Sequence, residues 1–135
     1  MRYVATLFAM LFWFSGAASF AQAPKRVALV IANSAYNDMS FLANPRNDAD
    51  LIARSLRNAN FETVEVSLDL NFENFNKLIR AFRLSSQNAD VAIIYYAGHG
   101  IENGGKNWLI PVDAKLINDF DLPFEAAIIY LTKHL

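Results

Sequence analysis

From Arg26 onward the apolar positions fall into short runs whose period switches back and forth between strand and helix. Arg26-Val27-Ala28-Leu29-Val30-Ile31-Ala32-Asn33 is almost unbroken and rich in β-branched residues, the pattern of a strand covered on both faces. A polar and aromatic stretch, Ser34 to Leu42, separates it from Asn44-Pro45, which predicts a helix start with asparagine as N-cap and proline at the first helical position. Leu51, Ile52, Ser55, Leu56 and Ala59 then share one helical face, and Asn58 and Asn60 mark the end. Phe61 to Leu68 alternates apolar and polar residues, as a strand with one wetter face does. Asn71 predicts a second cap, ahead of the stripe Phe72, Phe75, Leu78, Ile79 and Phe82. Asp90 to Tyr96 is another continuous apolar run, and Ile101 to Ile110 predicts a hairpin turning at Asn103-Gly104-Gly105. From Phe124 onward the pattern suits a helix or a strand.

Strand–helix–strand–helix–strand with short links predicts an α/β sandwich with a mostly parallel sheet. Residues 24–135 contain no linker, internal repeat or low-complexity tract and read as one unit. Residues 1–23 have a different character. Arg2, the apolar run Val4 to Phe14, and then Ser15, Gly16, Ala17, Ala18, Ser19 and Ala21 follow the order of an export signal peptide. Cleavage after Ala21 is favoured over cleavage after Ala23, where Pro24 would adjoin the scissile bond. The alternative is an uncleaved anchor from Tyr3 to Ala21. An exported protein, periplasmic or secreted and without stable membrane association after cleavage, is the expectation.

Composition narrows the function classes. The chain is 54% apolar and 13% aromatic, enough to build a core. Twelve basic and 13 acidic residues leave a net charge of −1, so nothing favours nucleic acid or an anionic membrane surface. Cysteine is absent from all 135 residues, which excludes disulfides, thiolate-bound zinc and any thiol nucleophile within them.

Ligands of open α/β sheets bind beyond the carboxyl ends of the strands. Tyr95-Tyr96-Ala97-Gly98-His99-Gly100 places a histidine at such an end, between glycines that permit a sharp turn and close approach by a substrate. Histidine as a residue type suits proton transfer near neutrality. The Gly100 amide would face the same space, where it could stabilise an oxyanion. The plainer reading of His99 is a turn residue, and spacing by itself does not choose. Tyr95 and Tyr96 read as sheet core and cleft wall, and Glu102 as a solvated hairpin residue. Neither a dinucleotide fingerprint nor a Gly-Lys-Ser/Thr phosphate loop is present, so a nucleotide-binding domain has no motif behind it.

Three segments carry a family resemblance. Ile93 to Gly100, followed by Asn107-Trp108-Leu109-Ile110-Pro111-Val112-Asp113-Ala114, is similar to the large-subunit half of the caspase-like cysteine peptidases, and most of all to the bacterial metacaspase group. Arg26 to Tyr36 resembles their first strand and loop, and Leu42 to Ala49 the start of their first helix. Ala32 departs from the pattern, which has glycine there. The resemblance implies a three-layer caspase-like sandwich and a peptide or protein substrate cut after arginine or lysine. It implies His99 as general base of a Cys–His dyad, Gly100 as oxyanion-hole donor, and Asp48 as an acid of the specificity pocket. Asp48 read without it is a first-turn acid beside a helix N-terminus. No cofactor is expected; the calcium dependence of some relatives brings Asp113, Asp119 and Asp121 to notice, but their spacing is not that of a ligand loop.

The cysteine of such enzymes lies roughly 50 residues beyond the histidine, which is past Leu135. The sequence is therefore expected to be the N-terminal part of the domain, incomplete at its C-terminal end and inactive alone. A non-catalytic peptide-binding module is the alternative.

Overall fold

The computed structural model describes residues 22–128; the segment 1–23 expected to direct export lies almost wholly outside these, as do the last seven positions. Three strands, β1 (Arg26–Ala32), β2 (Thr63–Leu68) and β3 (Val91–Ala97), form a parallel sheet in the order β2-β1-β3. Helix α1 (Pro45–Asn58) links β1 to β2, and α2 (Phe72–Ser85) links β2 to β3. The two crossovers run in opposite directions across the sheet. A common right-handed sense therefore puts their helices on opposite faces.

The side chains of β1 confirm this layering. Val27, Leu29 and Ile31 pack with Phe75 and Phe82 of α2, while Val30 and Ala32 pack with Ala49 and Ala53 of α1. All are buried, as the unbroken apolar run of β1 predicts. Complete burial of Phe75 contributes about 1.5–3 kcal/mol. The result is a three-layer α/β sandwich.

Two predicted faces need correction. In α1 the buried residues are Pro45, Ala49 and Ala53, with Ile52 and Leu56 half-buried, whereas Leu51 is 57% exposed and Ser55 and Ala59 are exposed too. Small side chains let the helix approach the sheet closely, so the contact stripe runs through alanines and Leu51 points away. Strand β3 is not covered along its whole length: Val91 and Ile93 are exposed, and burial grows only toward Ala97.

Caps agree in part. The Asn71 side chain accepts the N–H of Asn74 at 2.9 Å, as an N-cap should, and Asp113 accepts the N–H of Phe72 at 2.7 Å. Asn44 precedes Pro45 as predicted but is itself helical (φ −91°, ψ −29°) and makes no side-chain cap.

After β3 come β4 (Gly100–Asn103) and β5 (Lys106–Leu109), joined by Gly104 and Gly105 at φ +62° and +74°. Two successive positive φ values make the turn type that matches the twist of a hairpin. A short helix α3 (Leu122–Glu125) and strand β6 (Ala127–Ile128) follow, and β6 pairs antiparallel with β5. The segment after Phe124 thus ends one helix and begins a strand. A small core of Tyr36, Ile110, Ala114, Leu122 and Ala126 lies beside this second sheet, and Ala127 of β6 and Leu109 of β5 pack into the core formed by Val27, Leu29 and Ile31 of β1. Among the described residues no helix is long and apolar enough to cross a membrane.

Candidate active site

Register aligns the three parallel strands at one rim. Ala32 lies opposite both Leu68 and Ala97, so the chain leaves the sheet level at Asn33, Asp69 and Gly98. Asn33 is wholly buried there. Its Nδ2 donates to the carbonyl of Ile110 at 3.1 Å, and its Oδ1 accepts the N–H of Leu70 at 2.9 Å. One amide side chain thus ties the ends of β2 and β5 to β1.

Asp69 does similar work for the loop after β1. Its carboxylate accepts the backbone N–H groups of Ser34 (2.8 Å) and Ala35 (3.0 Å) and pairs with the guanidinium of Arg46. Partial burial pushes this carboxyl up, but the two amides and Arg46 outweigh it and hold the group below its ordinary value. Leu42 N–H closes the same loop on the Ser34 carbonyl at 3.1 Å, and Asn37 N–H donates to Val112 at 2.9 Å. The loop is fixed at both ends and in the middle.

Its tip reaches His99. The imidazole Nε2 is 2.9 Å from the carbonyl oxygen of Ser40, and the ring meets the ring of Tyr36 edge-on, with centroids 4.6 Å apart and an interplanar angle of 61°. The residue is half-buried. A carbonyl can only accept, so Nε2 carries the proton and, in the neutral ring, Nδ1 keeps its lone pair. The main chain of His99 is held as well: its N–H donates to the Tyr36 hydroxyl at 2.8 Å, and its carbonyl accepts from the Tyr96 hydroxyl at 2.8 Å and from Ile110 N–H at 3.1 Å.

Gly100 stands opposite Leu109 at the start of β4. Because Ile110 N–H bonds the His99 carbonyl, the Gly100–Leu109 pair occupies a non-hydrogen-bonded position of the antiparallel ladder. The Gly100 N–H is therefore directed away from β5. Asp48 lies in the first turn of α1, exposed, with its own N–H on the Asn44 carbonyl at 3.0 Å. No hydrogen bond joins it to His99 among the described residues. The site therefore brings His99 and Gly100 together and leaves Asp48 on a separate element at the same rim.

The sequence did not reveal the roles of Asn33 and Tyr36, nor those of Ser40, Asp69 and Tyr96. Ser40 contributes only a main-chain carbonyl, for which no residue type is a signal. Asp69 carried one signal, an acid just past a strand's carboxyl end. Tyr96 is more than a wall, since its hydroxyl holds the His99 carbonyl, while Tyr95 packs toward α1. Glu102 accepts the N–H of Gly105 at 2.9 Å within the hairpin. Asp113 holds the start of α2, Asp121 accepts the N–H groups of Ile117 and Asn118, and Asp119 opens the 3-10 turn Asp119–Asp121. Among the described residues no group of three or more His, Cys, Asp or Glu side chains is gathered to hold a metal ion.

The sequence has known relatives. The family model of the caspase domain matches residues 25–126. The chain is 35% identical over 92 residues to the mucosa-associated lymphoid tissue lymphoma translocation protein 1 of Homo sapiens, and 35% identical over 92 residues to its homolog of Mus musculus. Each alignment covers 68% of this chain and 11% of the relative, so the chain spans about a ninth of their length. With the family model covering residues 25–126, the chain belongs to the caspase-domain family of peptidases.

Proposed function

We propose that this chain supplies the general-base half of a cysteine endopeptidase that cuts after arginine or lysine, with the thiol coming from outside residues 1–135. The observation that carries the reading is the 2.9 Å contact between His99 Nε2 and the Ser40 carbonyl. It presets Nδ1 as the basic nitrogen. A thiol brought against Nδ1 would lose its proton there, giving a thiolate and an imidazolium whose Nε2–H stays on Ser40. The thiolate attacks the scissile carbonyl, and the oxyanion takes the Gly100 N–H. The imidazolium returns its proton to the leaving amine, and the acyl-enzyme is then hydrolysed by water with Nδ1 as base.

Asp48 is the proposed partner for the substrate's cationic side chain. The nearby guanidinium of Arg46 is taken by Asp69, which leaves the exposed Asp48 carboxylate for an incoming charge. Export directed by residues 1–23, ending in the periplasm or outside the cell, belongs to the same proposal.

The test is to sequence the gene past the codon for Leu135 and express the longer product. It is expected to hydrolyse arginyl and lysyl reporter peptides, to be stopped by thiol alkylation and by His99→Ala, and to lose at least tenfold in kcat/KM on Asp48→Ala. The 135-residue chain should be inert. Turnover by that chain that vanishes in His99→Ala would overturn the requirement for a thiol.

A further inference from the structure

We infer that Tyr36 and Tyr96 are positioning residues for His99, their hydroxyls forming a one-way hydrogen-bond chain that fixes its main chain and keeps its imidazole on Ser40. The inference rests on the reading of His99 as the base and adds two residues to it.

The direction of the chain follows from what each atom can do. The Tyr96 hydroxyl lies 2.8 Å from the His99 carbonyl and 3.0 Å from the Ile110 carbonyl. Both are acceptors only, so its single proton is spent on them. Tyr96 therefore cannot donate to Tyr36, and in the 3.1 Å contact between the hydroxyls Tyr36 is the donor. The Tyr36 oxygen in turn accepts the His99 N–H at 2.8 Å. The chain starts at the N–H of His99 and returns to the carbonyl of His99. Neither phenol has a second orientation that satisfies all partners.

Two further observations agree. The Tyr36 ring, 8% exposed, abuts the edge of the imidazole, so the same side chain controls both the backbone and the ring of His99. Burial pushes both phenols above their ordinary value, which keeps both protonated wherever a peptidase works.

The two tyrosines are not equivalent. The His99 carbonyl also receives Ile110 N–H at 3.1 Å, and the Ile110 carbonyl also receives Asn33 Nδ2 at 3.1 Å. Loss of the Tyr96 hydroxyl therefore leaves neither carbonyl bare. Loss of the Tyr36 hydroxyl leaves the His99 N–H with no acceptor among the described residues, an expensive state for a half-buried amide.

The experiment is nuclear magnetic resonance on the 135-residue chain with 15N-labelled histidine, reading the His99 tautomer and the exchange rate of its amide. The native chain should show the Nε2–H tautomer, a slowly exchanging His99 amide and a cross-peak from that amide to a Tyr36 hydroxyl proton. This part needs no variant, and absence of the cross-peak together with fast exchange would overturn the inference. Tyr36→Phe, which keeps the ring edge, should speed exchange of the His99 amide at least tenfold and mix the tautomers; Tyr96→Phe should change exchange less than threefold. A Tyr36→Phe chain that melts lower but retains the native tautomer and exchange rate would reduce Tyr36 to a packing residue. Equal effects of the two substitutions would refute the direction of the chain. None of these readouts involves hydrolysis, so a longer gene product that never cleaves a peptide would sink the peptidase reading and leave this one standing.

Discussion

Asp69 accepts the backbone N–H of Ser34 at 2.8 Å, binding the residue after β2 to the loop after β1. That loop carries Ser40, whose carbonyl meets His99 after β3. Order at the imidazole therefore depends on contacts made two strands away. Asp69 itself has a positive φ of 49°, a conformation that aspartate tolerates better than most residues.

Replacing Asp69 should be costly and pH-dependent. Asp69→Ala abandons two amides and Arg46, for an expected loss of about 2–3 kcal/mol near neutrality. The folded carboxyl titrates below its unfolded value of about 3.9. Its contribution is thus complete above the unfolded value and is lost as pH falls through the folded one. Urea unfolding of the native chain and Asp69→Asn should differ most above about pH 5 and converge in stronger acid. A constant difference across that range would contradict the assignment.

Asn33 should tolerate no apolar substitute. Its side chain makes one donor and one acceptor contact in a fully buried position. Asn33→Leu strands the Leu70 N–H and adds volume at a rim with none to spare, so a loss of about 2–4 kcal/mol is expected. Asn33→Asp keeps the acceptor but loses the donor to Ile110 and brings a charge into the interior. It should be at least as destabilised at pH 7, and partly recovered in acid as the carboxyl protonates. Thermal melts at the two pH values measure this.

The layers were legible in the sequence because β1, α2 and β3 are written in large or β-branched side chains whose spacing has one clear period. The face of α1 was not, because alanine carries little hydrophobic signal even when it makes the contact. Ala49 and Ala53 bury, and the more apolar Leu51 faces out. His99 and Gly100 stood out from their place at a strand end. Asp69 looks like any turn residue, and a carbonyl such as that of Ser40 belongs to every residue alike. Strand β6 spans two residues, too few for any period to show.

The hairpin makes a sharper test of backbone geometry. Gly104 and Gly105 have positive φ, and a Cβ at either would meet nothing within 4 Å. The cost of substitution is therefore conformational alone. Gly104→Asn should be nearly neutral, since asparagine accepts the left-handed region, whereas Gly105→Val should cost about 1–2 kcal/mol per residue forced there. Equal losses for both would mean that the turn changes type when substituted. Chemical denaturation of the two variants distinguishes these outcomes.

Gly98 is glycine for a different reason. Its φ is not in the left-handed region, so its conformation is open to other residues. What excludes a side chain is space: a Cβ there would lie 2.6 Å from the Tyr36 hydroxyl oxygen and closer still to that of Tyr96. Gly98→Ala must push both hydroxyls off their partners, with an expected loss of about 1–3 kcal/mol from overpacking. The Tyr96 ring carbon Cζ would also lie 2.7 Å from that Cβ, so the same substitution in a Tyr36→Phe, Tyr96→Phe background should cost less, with the part due to the ring remaining. A double-mutant cycle on thermal or urea stability reads the difference directly. Full additivity would show that the hydroxyls are not the obstacle and that the clash lies with the Tyr96 ring carbon.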